Sequence, residues 1–232
     1  MKKPNTTHAA TISRTPLLCQ FAALALLVAS GASGFAAETA PVPHDESLKR
    51  LMDGNERFIA GHATHTTRDA KRRAEVAQGQ KPFAIVVSCS DSRVGPEVVF
   101  DQGVGDLFVV RTAGHVVDDV GLGSIEYAVE HLGSAFILVL GHERCGAVAA
   151  TVAGGEAHGH IPSIVKAIKP AVAKTKGQPG DAVDNAVRAQ VLEVTAQLQK
   201  AGPVLADRVK AGKLKVVGAR YDLDTGRVEI VE

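Results

Sequence analysis

Four short apolar-rich runs, at residues 83–87, 107–110, 136–140 and 214–217, constrain this chain more than anything else in it. Runs of that kind, without a polar residue at every second position, suit strands buried on both faces, as in parallel sheets covered by helices. Between and after the runs, residues 124–132, 145–152, 161–173 and 181–200 carry apolar side chains at helical spacing. The expected fold is therefore α/β, a three-layer α/β/α sandwich around a mostly parallel central sheet. Asp224-Thr225-Gly226 is a turn signal and predicts that residues 227–231 fold back as a C-terminal antiparallel edge strand. Ahead of the sheet, Leu48, Leu51, Met52, Phe58 and Ile59 recur at helical spacing, and a charged stretch at 68–75 predicts a second, shorter helix. Together they form an N-terminal helical arm over about 45–79, whose apolar stripe suits its own core and a second subunit equally well.

Residues 1–36 stand apart. Lys2, Lys3 and Arg14 occur there without any acid, residues 17–30 are almost wholly apolar, and Gly31, Ala32, Ser33, Gly34, Ala36 and Ala37 are small. This order predicts a signal peptide, cleaved after Ala36, and export to the periplasm for a bacterial chain. The apolar run is shorter than the roughly 20 residues that span a bilayer, so no membrane span is expected in the mature chain. One domain, 37–232, remains. Losing three cations takes the net charge from +1 to −2. With 4% aromatic residues and no Trp, the chain offers neither a basic groove nor a stacking platform, which excludes nucleic acid as its ligand.

Cleavage also removes Cys19 and leaves Cys89 and Cys145. In an oxidising compartment two cysteines suit a disulfide, and a non-catalytic disulfide or metal module is one reading of them. Their neighbours favour another. Cys89-Ser90-Asp91-Ser92-Arg93 follows the first predicted strand, and Gly141-His142-Glu143-Arg144-Cys145-Gly146 follows the third. Open α/β sheets collect ligands at the carboxyl ends of their strands, so both segments face one crevice. His142 and Cys145 are spaced to converge on one ion across a strand-to-helix turn, with Cys89 as a third ligand from another strand. Two thiolates and an imidazole suit zinc, and three protein ligands leave a fourth position open, as in catalytic sites. Asp91 and Arg93 are two apart, close enough for a forked ion pair that keeps the carboxylate ionised.

These residues, with Phe108-Val109-Val110-Arg111 and Ser124-Ile125-Glu126-Tyr127-Ala128-Val129, resemble the β-class carbonic anhydrases over roughly residues 45–231. The resemblance implies one Zn2+ per chain on Cys89, His142 and Cys145, with Asp91 and Arg93 as the catalytic dyad. The implied reaction is reversible hydration of carbon dioxide to bicarbonate and a proton by zinc-bound hydroxide. Gln80 matches a glutamine that hydrogen-bonds substrate in that family, and Phe108 and Tyr127 match residues lining the carbon dioxide pocket. A homodimer or homotetramer is implied as well, because family members build each site at a subunit interface. Val86 stands where members with an inhibitory bicarbonate site tend to carry Trp, which points to an open zinc rather than one closed by Asp91. Glu143 and Arg144 fill a variable pair, and Ala147 replaces a frequent glycine. A related zinc hydrolase acting on COS or CS2 shares the same ligands. For a proton relay, His158 and His160 titrate in the right range, although a solvated loop is their plainer role. His62, His65, His115 and His131 offer no stronger case.

Overall fold

The structure is a computed structural model, described here for residues 40–64 and 67–232; the predicted signal peptide, Cys19 and His65 lie outside the described residues. Five strands form one sheet in the order β2-β1-β3-β4-β5. They are β1 (Ala84–Cys89), β2 (Leu107–Thr112), β3 (Phe136–His142), β4 (Lys215–Tyr221) and β5 (Val228–Val231). The first four are parallel and β5 runs antiparallel to β4, as the sequence predicts. Helices α1 (His44–Ile59), α2 (Ala70–Val76) and α3 (Pro96–Val99) come from the first half of the chain, with α4 (Asp119–His131) after β2. Helices α5 (Gly146–Ala153), α6 (Ile161–Thr175), α7 (Ala182–Lys200) and α8 (Val204–Lys210) follow β3.

Strand alternation divides the core in two. Ile85, Val87, Ile137 and Val139 point to one face, where Ile125 and Val129 of α4 and Val191, Val194 and Leu198 of α7 cover them. Val86, Leu138 and Leu140 point to the other, against Leu51 of α1 and Val99 and Phe100 around α3. All seven residues of β3 are buried, as befits a central strand covered on both sides. Each fully buried aliphatic side chain contributes about 1.5–3 kcal/mol of transfer free energy, so these two layers carry much of the stability.

Helix α1 spends its inner face on its own chain. Leu51 is fully buried in that second layer. The Asn55 side chain donates to the carbonyls of Val99 at 3.2 Å and Gly226 at 2.8 Å and accepts from the Val228 N–H at 2.9 Å. Leu51 and Asn55 therefore anchor this helix on the local core.

The element ends differ from the expectations for physical reasons. Strand β1 continues through Ser88 to Cys89 because β2 extends its ladder to Thr112, and β3 continues to His142 because β4 pairs with it as far as Tyr221. Helix α4 begins at Asp119 rather than 124, since the Asp118 side chain caps it by accepting from the Gly121 N–H at 2.8 Å. Helices α3 and α8, too short to show a periodicity, were not expected. Among the described residues, no helix is long and apolar enough to cross a membrane.

Candidate metal centre

The ends of β1 and β3 deliver the predicted ligands to one point. Cys89 is the last residue of β1, His142 the last of β3, and Cys145 caps the N-terminus of α5 three residues later. Because β1 and β3 are hydrogen-bonded neighbours, residues more than fifty apart in sequence sit side by side. One donor atom from each of the three residues lies within 4.8 Å of the others, and all three residues are buried.

The sulfurs are 4.0 Å apart, about twice a disulfide bond, and both cysteines are free. Two thiolates sharing a tetrahedral zinc at about 2.3 Å would stand about 3.8 Å from each other, close to what is found. The His142 ring is set to match. Its Nδ1 lies 2.8 Å from the Glu143 carbonyl, so that nitrogen carries the proton and donates. Its Nε2 is buried without a hydrogen-bond partner, a lone pair whose desolvation needs a cation or donor to offset it.

Electrostatics agree with the geometry. The Cys89 thiol is held far below its ordinary value, first by a hydrogen bond from Cys145 and further by the N–H groups of Gly114 and Asp91, against the opposing effect of burial. The same contact pushes Cys145 up, burial adding to it, while the Val148 and Ala147 N–H groups at the start of α5 work the other way. One proton thus serves two sulfurs. A divalent cation in that place lets both be thiolates, so the donor set fits zinc.

Asp91 and Arg93 form the forked pair that their spacing predicts. Arg93 Nε donates to Oδ1 at 2.9 Å and Nη2 to Oδ2 at 2.7 Å, and the Arg93 backbone N–H also donates to Oδ1 at 2.9 Å. This guanidinium holds the Asp91 carboxyl well below the usual carboxylate range. Asp91 Oδ2 lies 3.7 Å from His142 Nε2, at the rim of the three-ligand cluster.

Three further residues shape the centre, and the sequence reading gave them no role. Arg111 donates to the Cys89 carbonyl at 2.8 Å and the Asp91 carbonyl at 2.6 Å, tying the end of β2 to the loop after β1. In the single turn Ala113–His115, the Gly114 N–H points at Cys89 Sγ across 3.3 Å. Gly114 has φ +69°, a backbone that favours glycine, and a Cβ there would meet the end of the Ile168 side chain, Cδ1, at 2.6 Å. His115 follows with φ +46°, wholly buried, both ring nitrogens without a hydrogen-bond partner. Burial lowers its pKa to about 4. The signal available was Arg111-Thr-Ala-Gly-His115, a glycine and two basic residues at the third strand end beside the two already recognised.

Gln80, Phe108 and Tyr127 lie elsewhere. Gln80 precedes β1, in a shallow hollow shared with Val76, Val104 and Leu107. Phe108 pairs with Ile85, four residues before Thr112, the register partner of Cys89, and so lies about 13 Å back along the strand. Tyr127 is exposed on α4, its ring 5.1 Å from that of His131. His158 and His160 are exposed between α5 and α6.

Comparisons with known proteins bear on this arrangement. A family model described as carbonic anhydrase matches residues 84–228. "Carbonic anhydrase 2" of Mycobacterium tuberculosis is 44% identical over 183 residues, covering 77% of this chain and 88% of that protein. The carbonic anhydrase of Mycolicibacterium smegmatis is 46% identical over 187 residues, 78% of this chain and 90% of that one. Among solved structures, the Coccomyxa β-carbonic anhydrase in complex with acetazolamide aligns with a TM-score of 0.63 at 30% identity, over 79% of this chain and 86% of its own. One of two tetrameric β-carbonic anhydrases from Sordaria macrospora aligns at 0.64 and 25% identity, over 80% and 96%.

Proposed function

This chain belongs to the β-carbonic anhydrase family, and on that footing we propose that Cys89, His142 and Cys145 hold one zinc ion per chain with Asp91 and Arg93 as the catalytic dyad beside it. Its reaction is the reversible hydration of carbon dioxide to bicarbonate and a proton. The observation that carries the zinc assignment is the buried, unpartnered His142 Nε2 beside two free sulfurs 4.0 Å apart. When bound, zinc supplies Lewis acidity that brings the pKa of water from about 15.7 to about 7.

The chain's own residues do the rest. Asp91, kept ionised by Arg93, accepts a hydrogen bond from water entering the site and turns a lone pair of that water toward the substrate carbon. Arg93 holds the carboxylate by both of its oxygens, which keeps Asp91 in its pair and off the metal position. Arg111 fixes the backbone on which Cys89 and Asp91 ride, so the acceptor and the first ligand keep one spacing.

Gln80, Phe108 and Tyr127 serve the metal centre of a second copy in a homodimer or homotetramer. Supporting this, Phe108 stands well back from Cys89 in its own chain, β2 is an edge strand among the described residues, and α4 exposes Val120 and Tyr127. Lys2, Lys3, Arg14 and the apolar run at 17–30 support removal of residues 1–36 on export to a periplasm. The test is stopped-flow carbon dioxide hydration with a metal assay on the same sample. Turnover with about one zinc per chain supports the assignment. Turnover without zinc overturns it, and zinc with turnover of COS or CS2 only replaces the substrate.

A further inference from the structure

Glu143 and Arg144 separate two of the metal-ligand positions, and what they grip is the β4–β5 turn. The Glu143 N–H donates to the Tyr221 carbonyl at 2.9 Å, and its Oε2 accepts from the Leu223 N–H at 3.2 Å. Arg144 donates to Asp224 through both ends of its fork, Nη1 to Oδ2 at 2.8 Å and Nη2 to Oδ1 at 2.7 Å. The turn it grips is stiff, because Asp222 Oδ1 accepts from the N–H groups of Asp224 at 3.1 Å and Thr225 at 2.9 Å. Arg220, buried behind it, pairs with Asp184, Asp222 and Glu143. The carboxylates of Glu143, Asp222 and Asp224 converge here, but Arg144 and Arg220 occupy their oxygens, so the cluster is an ion-pair web.

Arg144 also has φ +49°, a left-handed backbone at a long side chain, immediately before Cys145. Such a conformation persists only where the surroundings impose it. The kink turns the chain from the end of β3 into α5 and brings Cys145 to the same point as His142. Arg144 and Asp224 are both at least half exposed, and exposed ion pairs contribute little to overall stability. The effect of this pair is therefore local, on the loop it restrains.

We propose that Arg144 is a positioning residue, whose forked pair with Asp224 of the β4–β5 turn holds the His142–Cys145 loop in its kink and so sets how tightly the chain keeps its metal. This rests on the reading that Cys89, His142 and Cys145 are the ligands. This pair is separate from the Asp91–Arg93 pair and reaches the loop from the β4–β5 hairpin.

The test uses the zinc-loaded full-length enzyme with Arg144→Ala, Asp224→Asn and the swapped double variant Arg144→Asp with Asp224→Arg. Zinc release to a chromogenic chelator, the thiolate-to-cobalt absorption of the cobalt-loaded protein, and the melting temperature are recorded for each. Release about tenfold faster in both single variants is expected, in line with the effect of other residues that orient ligands. The cobalt bands should shift, the melting temperature should hold within a few degrees, and the swap should restore part of the slow release. Release rates and bands equal to wild type overturn the proposal. So does a melting temperature that falls in step with the release rate, since that assigns the pair to general stability. A wild-type chain that takes up neither zinc nor cobalt overturns the ligand assignment itself, which separates that failure from the failure of the clamp.

Discussion

Asp91→Asn separates chemistry from metal binding in a way the geometry makes quantitative. The substitution keeps the shape of the side chain and removes its charge. The Asp91 carboxylate makes no hydrogen bond to the side chains of the three ligands and stands 3.7 Å from His142 Nε2, so zinc content should stay close to one per chain. Its partner Arg93 is half exposed and regains water when the pair is lost, so the stability cost should stay below about 1 kcal/mol. What disappears is an ionised acceptor at the rim of the cluster. Acid–base groups contribute about 10²- to 10⁴-fold, or roughly 2.7–5.4 kcal/mol of activation free energy at about 1.36 kcal/mol per decade. Stopped-flow hydration, zinc analysis and a thermal melt on one preparation read all three quantities. Cys145→Ser is the control and should lose zinc and turnover together. Turnover within threefold of wild type, or zinc loss in Asp91→Asn equal to that in Cys145→Ser, would refute the dyad.

Gly114→Ala should cost about 1–3 kcal/mol in urea unfolding, chiefly because the left-handed backbone opposes a Cβ; a change under about 0.5 kcal/mol would show that the turn relaxes freely. His115 has a pKa of about 4 in the fold against 6.5 unfolded, so the unfolded chain binds the extra proton and stability falls as pH drops from 6.5 toward 4. The full loss is about 3 kcal/mol. His115→Asn, a residue at ease at positive φ, should flatten that slope, and identical pH profiles for the two chains would contradict the assignment. Stripping the metal with a chelator should lower the melting temperature by several degrees and expose both thiols to a reagent, with recovery on adding zinc; an unchanged melt would mean that no structural energy is linked to the ion.

Much of this was legible in the sequence because the strands are buried on both sides. Unbroken apolar runs such as 136–140 leave a parallel sheet as the economical solution, and the cysteines, histidine and forked pair sit at the strand ends where such sheets place their ligands. What escaped depends on contacts between distant segments. Gly114 packs beside Ile168 and meets Cys89 Sγ through its N–H, and the work of Arg144 is set by Asp224, 80 residues away. Neither leaves a local periodicity. The arm shows the same dependence: its stripe is apolar in either setting, and what anchors it locally is Asn55, a polar residue, through Val99, Gly226 and Val228.

The parallel register of β1 against β3 has a consequence in time as well as in space. Cys89 and His142 become neighbours only after some fifty intervening residues, with β2 and α4 among them, have been gathered in. Closures of that span come late and slowly in folding, so the nascent chain has no site to offer an ion until its central strands have docked. Metal capture then reports completed assembly. Until that moment two reduced thiols destined to lie 4.0 Å apart are open to any oxidant around them, and a metal bound there would shield them.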